Sequence, residues 1–179
     1  MIAPLSLSNL LTVVIAITCL STIASQSRGD IVKLWRLAVP ACLAIVQALV
    51  LLASVIDATF IHDAEWVLAA IVGAVAGRMR GWTMFLQVDQ SRDMFRARRS
   101  YDGQIAAIGL CAMAFLDFLS AALEYPVLDA AHIAAGAALC AGYLAYRAIA
   151  VAVRAVRLHH VELIESLQQS ADSTARMNG

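Results

Sequence analysis

Charge is what this sequence has least of. Only 15% of its 179 residues are charged, where a soluble domain carries about a quarter, and no charged side chain occurs among the first 26. With 61% of residues hydrophobic and a mean hydropathy of +0.77, a water-soluble fold would have to expose large apolar patches. An integral membrane protein is the economical reading. Chemistry-bearing motifs are missing as well. No C-x-x-C, H-x-x-x-H or haem-attachment spacing occurs, and no nucleophile–base pair, phosphate-cradling loop or nucleotide fingerprint. The chain is therefore not expected to be an enzyme. Cys19, Cys42, Cys111 and Cys140 all lie inside apolar runs, which suits small packing residues and suggests no disulfide framework. The apolar N-terminus lacks a basic leader and a clean cleavage site, so it reads as a retained helix rather than a signal peptide.

What is present is a series of apolar segments, each to be judged against the ~20 residues that cross a ~30 Å hydrocarbon core. Five are expected, at about 5–24, 37–56, 58–77, 104–123 and 128–148. They form one transmembrane domain over residues 1–158, followed by a cytoplasmic tail over 159–179. The third is a full span only if it takes in His62, Asp63 and Glu65. All 13 lysines and arginines fall at alternate segment ends: Arg28, Lys33 and Arg36, then six arginines over 78–103, then four from Arg147 onward. By the positive-inside rule the N-terminus lies outside and the C-terminus in the cytoplasm of a bacterial inner membrane. Between the third and fourth segments, Met84, Leu86 and Val88 alternate against Phe85, Gln87 and Asp89. After the polar turn Gln90-Ser91-Arg92-Asp93, Met94 to Arg98 alternates again. A short cytoplasmic β-hairpin over about 84–99 is expected. Two strands alone are marginal in water, so the hairpin should lie on helix ends or headgroups, or pair with another chain. The fold class is an all-α membrane protein, a five-helix bundle with that hairpin.

The run Gly73-x-x-x-Gly77-Arg78-x-Arg80, then Leu86-Gln87-Val88-Asp89 and the turn into Phe95-Arg96-Ala97-Arg98, resembles the CcdC-like family of small bacterial membrane proteins. The resemblance covers residues 69–103 and implies a glycine-rich helix that ends in arginine and leads into a hairpin between spans. It implies architecture and no particular activity. The turn here lacks the glycine that the family pattern carries.

Three groups of residues are candidates for function. Gly73, Gly77 and Gly81 are four apart and share one helix face, where a second backbone can come close, within the bundle or across a dimer seam. Arg78, Arg80, Arg92, Arg96, Arg98 and Arg99 could meet anionic lipid headgroups or a partner, or simply mark the cytoplasmic side. Gln47, Glu65, Asp117 and His132 fall ~15–22 Å from the basic ends of four different helices, at ~1.5 Å per residue. Ionisable groups at that depth are costly and usually face a bundle interior or water. His62 and His132 are the one pair that could hold a haem or a metal, and no cofactor is otherwise expected. The leading expectation is a non-enzymatic inner-membrane protein that associates with itself or with other membrane proteins, with no role for nucleic acid. A small transporter or proton- and ion-handling bundle, and a haem- or quinone-linked redox accessory, remain open alternatives.

Overall fold

The structure, a computed structural model, describes residues 7–27, 31–55, 60–89, 94–97, 100–123, 125 and 127–157. Five long helices account for most of it: α1 Leu7–Ser27, α2 Ala38–Ala53, α3 Phe60–Thr83, α4 Asp102–Ala122 and α5 Ala130–Arg157. A 3-10 turn, Leu34–Leu37, leads into α2. Three short strands, β1 Ile31–Lys33, β2 Leu86–Asp89 and β3 Met94–Ala97, form one sheet. Four stretches are long and apolar enough to cross a membrane: Leu7–Ala24, Trp35–Ala53, Asp102–Ala122 and Ala130–Arg157. The remaining helix, α3, has 24 residues but carries Asp63 and Glu65 near one end and Arg78 and Arg80 near the other.

Local chemistry explains the ends. Pro40 is the third residue of α2, where its missing N–H costs nothing. Asp129 starts α5, its Oδ1 accepting the Ala131 N–H at 3.3 Å and its backbone carbonyl the Ile133 N–H at 3.1 Å. At the far end of α3, Arg154 donates from Nη1 to the carbonyls of Gly81 and Met84, both at 2.7 Å. Those two carbonyls would otherwise be left over where the helix stops.

The longest helix, α5, is the central post. It packs against α3, α2 and α4, while α1 is held by α4 and α2. The core is built from small residues: Ala44, Ala48, Ala107, Ala134, Ala137 and Ala141, with Cys19 and a few larger side chains such as Ile23, Leu110 and Ile133. Large apolar side chains point outward instead. Val14, Ile17, Leu49, Leu68, Val72, Ile108, Phe115 and Ile149 are all more than half exposed. Soluble proteins distribute these classes the other way round.

Residues Gly73, Gly77 and Gly81 face α5 of the same chain. A Cβ on Gly73 would run into the Leu139 carbonyl, one on Gly77 into the Tyr143 carbonyl, and one on Gly81 to 2.6 Å from the Ala150 Cβ and 3.0 Å from the Arg147 carbonyl. Gly142 returns the contact, against the Ala70 carbonyl. Residue numbers rise together along both helices, so α3 and α5 run parallel with their backbones touching. The dimer seam is thus not where this stripe is used; the contact is internal.

The hairpin is present, with strands at 86–89 and 94–97, and it has a third strand the sequence did not announce. In the order β1-β3-β2, both neighbours are antiparallel to β3. Val32, Phe95 and Val88 stand opposite one another across the sheet. With Leu86 and Leu37 they pack onto Val151 and Ala155 in the last turns of α5. Two strands gain a third and a helix to lie on, which is how so small a sheet becomes stable.

Candidate functional site

The four polar residues expected at one depth of the spans do not meet one another. Gln47 on α2 is wholly buried, its Nε2 donating to the Leu110 carbonyl of α4 at 3.0 Å. Asp117 on α4 accepts from Asn9 Nδ2 of α1 at 2.9 Å. His132, more than half exposed, has Nδ1 4.0 Å from Asp129 Oδ2 on its own helix. Glu65 is half-buried, and its Oε2 is sealed from solvent without a hydrogen-bond partner. Among the described residues, no hydrogen bond or ion pair joins any two of the four. One reason is that Glu65 rides on α3, which packs on α5, whereas Asp117 belongs to the α1–α4 pair. Among the described residues, no group of three His, Cys, Asp or Glu side chains is placed to hold a metal ion.

Beside Glu65, two more polar atoms are buried and unpartnered, His62 Nδ1 and Trp66 Nε1. Residues 62, 65 and 66 lie within one turn and on one face of α3. His62 is half-buried on α3 and His132 lies exposed on the first turn of α5.

The densest polar arrangement is at the other end, where the sheet sits, and it centres on a residue the sequence did not single out. Asp102 opens α4. Its Oδ2 accepts from Tyr143 Oη at 2.7 Å and from Arg80 Nε at 3.3 Å, and lies 3.2 Å from Arg147 Nε. Its Oδ1 accepts from Ser100 Oγ, which in turn accepts from Arg80 Nη2 at 3.2 Å. The side chains of Asp102 and Arg147 are 17% and 10% exposed, and that of Arg80 is 47% exposed. Arg147 was expected to be one of the basic residues trailing the last span. It is instead inside the bundle, because α5 continues for ten residues beyond it to Arg157.

The glycine stripe and this cluster are one construction. Gly77 and Gly81 press against the backbone of Tyr143 and Arg147, so Arg80, between them in sequence, arrives level with both. Tyr143 and Arg147 are four apart on α5 and reach the same carboxylate. A legible signal did exist. Arg147 falls on the buried stripe of α5, three residues after Leu144 and four before Val151, where a solvated arginine has no reason to be.

Of the six arginines expected to meet headgroups or partners, Arg78 is exposed on α3 and Arg96 on β3, while Arg80 is tied down by Asp102 and Ser100. Arg92, Arg98 and Arg99 lie outside the described residues. Around the same end, Trp35, Trp82, Phe85 and Tyr101 are all between 45% and 64% exposed, and the Arg36 guanidinium sits 5.8 Å from the Trp35 ring centre. No protein-family model matches the chain, and no curated protein or solved structure matches it either.

Proposed function

We propose that this chain is a five-span protein of the bacterial inner membrane, N-terminus outside and C-terminus cytoplasmic, that works without catalysis by associating with other membrane proteins or with itself. The observation that carries the reading is the inverted packing: alanine and glycine inside, leucine, isoleucine, valine and phenylalanine outside, around all five helices. Hydrocarbon accepts that surface and water does not, and close helix packing in lipid relies on small residues. At ~1.5 Å per residue the 24 residues of α3 reach ~36 Å, enough for a span whose charges sit at the two interfaces. The exposed aromatic residues around the sheet end fit a headgroup belt at the cytoplasmic face. The likeness of residues 69–103 to the CcdC-like proteins agrees with this architecture and adds no activity.

Since the glycine stripe is occupied by α5, the seat for a partner is placed elsewhere in this proposal. Between α1 and α4 runs an open apolar groove of about 400 Å³, lined by Val13, Ala16, Ile17, Ile108, Ala112 and Phe115 among others. Its lining is apolar, as the surface of another membrane helix would be. Filling it with Ala112→Trp should reduce the mass of the complex extracted in mild detergent and leave thermal stability unchanged. A wild-type protein that runs as a lone chain, with nothing co-purifying, would refute the association.

A second reading, a small proton- or ion-handling bundle, is favoured by His62 Nδ1, Glu65 Oε2 and Trp66 Nε1, three buried unpaired polar atoms within one turn. Buried polar atoms are nearly always paired, so such a trio calls for water or an ion. Glu65→Gln should then abolish pH-driven flux in proteoliposomes. Wild-type vesicles no leakier to protons or cations than empty ones would dismiss this reading.

A further inference from the structure

We propose that the sheet-bearing end of the bundle carries a collar of basic and aromatic side chains that selects anionic phospholipids from the surrounding bilayer. The inference rests on the membrane reading and goes beyond it, because a span by itself needs no particular headgroup around it. The collar shows in how the outward stripes of three helices end. On α3, Val75 and Arg78 are both exposed on one face, and exposed Trp82 stands a turn beyond Arg78. On α4 the exposed stripe of Phe115, Ile108 and Ile105 runs back to Tyr101. On α2 the outward Leu49, Val46 and Ile45 give way to exposed Trp35 and Arg36 on the turn before the helix. Each apolar stripe thus ends in an aromatic ring, and two of them in a guanidinium as well. Arg78 lies ~7 Å short of Thr83, the last residue of α3, at ~1.5 Å per residue. A cation at the end of a hydrocarbon-facing stripe lays its stem on acyl chains and lifts its charge to the headgroup phosphates.

Charge at this end is one-sided. Lys33 on β1, Arg36, Arg78 and Arg96 on β3 are all exposed. Among the described residues, neither Lys33 nor Arg78 makes an ion pair. The described carboxylates here, Asp89 and Asp102, are turned inward, and Asp102 is taken up by Arg80, Arg147 and Tyr143. At the opposite end the exposed carboxylates are Asp63 and Asp129, and no lysine or arginine accompanies them. Only the sheet end therefore attracts an anionic surface. A soluble acidic partner would meet the same charges. It would have no use for rings and a guanidinium set on the hydrocarbon-facing stripes, whereas a phospholipid engages both.

Tryptophan quenching tests the collar directly. Of the three tryptophans, Trp35 and Trp82 lie in it, and Trp66→Phe removes the one at the other end. The full chain is reconstituted in equal parts of phosphatidylcholine and phosphatidylglycerol, with bromine on the upper acyl chains of one lipid or the other. Quenching should favour phosphatidylglycerol by about fivefold in association constant, the worth of one basic residue at an anionic surface. The preference should fall toward equality in ~1 M salt, where the Debye length is ~3 Å. It should fall likewise in the double variant Lys33→Gln with Arg78→Gln, both exposed positions whose fold is checked by circular dichroism. A preference that the double variant keeps overturns the collar as its cause. Should that variant fail to fold, the salt series decides, and a preference that persists at ~1 M salt overturns the proposal. Equal quenching by the two lipids overturns lipid selection, leaves the face to a soluble acidic partner and leaves the membrane reading standing. No quenching by either lipid overturns the membrane reading itself.

Discussion

Replacing Gly77 by alanine is the smallest change that should open the bundle. The new Cβ would overlap the Tyr143 carbonyl oxygen and stand 2.8 Å from its carbon and 2.9 Å from its Cα. None of these atoms can rotate away, because they are helix backbone. Restoring ordinary contact near ~3.5 Å means separating α3 from α5 locally by about 1 Å, a gap that forfeits a quarter to a half of each dispersion contact it touches. Overpacking of this kind costs about 1–3 kcal/mol, and the better helix propensity of alanine returns up to about 1 kcal/mol. A net loss of about 1–2 kcal/mol is expected, read as a lower midpoint in thermal or SDS unfolding followed by far-UV circular dichroism. Gly136→Ala is the control. Its Cβ would meet Met113 Cε and Sδ at 2.9 Å, the far end of a flexible side chain, so stability should change by less than about 0.5 kcal/mol. The detergent-solution mass of Gly77→Ala should equal that of wild type, since the contact is within one chain. Wild-type stability in Gly77→Ala, or a fall in its oligomeric mass, would refute the reasoning.

Asp117→Asn should be nearly silent in unfolding, because an amide oxygen can still accept from Asn9, whereas Asp117→Leu removes that acceptor from a part-buried hydrogen bond and should cost about 1–3 kcal/mol. Phe95, 3% exposed and opposite both Val32 and Val88, should lose about 3–5 kcal/mol as alanine. Hydrogen exchange should locate that loss in the sheet and the end of α5 and leave α1 and α4 protected. Reporter fusions near Trp35 and Phe85 should report cytoplasm and one near Tyr125 the opposite side; a reversed signal at either end sinks the orientation.

The helices were readable because they depend on composition over whole turns, and so was the hairpin, because Met84, Leu86 and Val88 are buried while Phe85 is exposed. What escaped depended on pairing between distant segments. Ile31-Val32-Lys33 is too short to carry a strand pattern, and it becomes one only because β3 offers an edge 61 or more residues later. The glycine spacing announced a close helix contact, and no periodicity within α3 could say that its partner would be α5 of the same chain. The depth argument placed Gln47, Glu65, Asp117 and His132 at comparable levels, which is a statement about height. Which residues meet also depends on azimuth and on helix neighbours, and these sent Gln47 to Leu110 and Asp117 to Asn9.

Arg147 marks a sharper limit of the same kind. Counting basic residues by segment made it one more cytoplasmic charge, and its side of the bundle is indeed the basic one. Yet a topology rule counts charges without asking which of them are solvated. The helix stripe asks that second question, and at Leu144, Arg147 and Val151 its answer is that this arginine faces inward. Once it does, the rest of the end follows. A buried guanidinium requires a carboxylate, and Asp102 at the start of α4 supplies it. Asp102 is then positioned to hold Arg80 as well, and Arg80 reaches it because glycines let α3 lie against α5. The stripe that could have packed within the bundle or across a dimer seam does the first, and so brings these two arginines to one carboxylate.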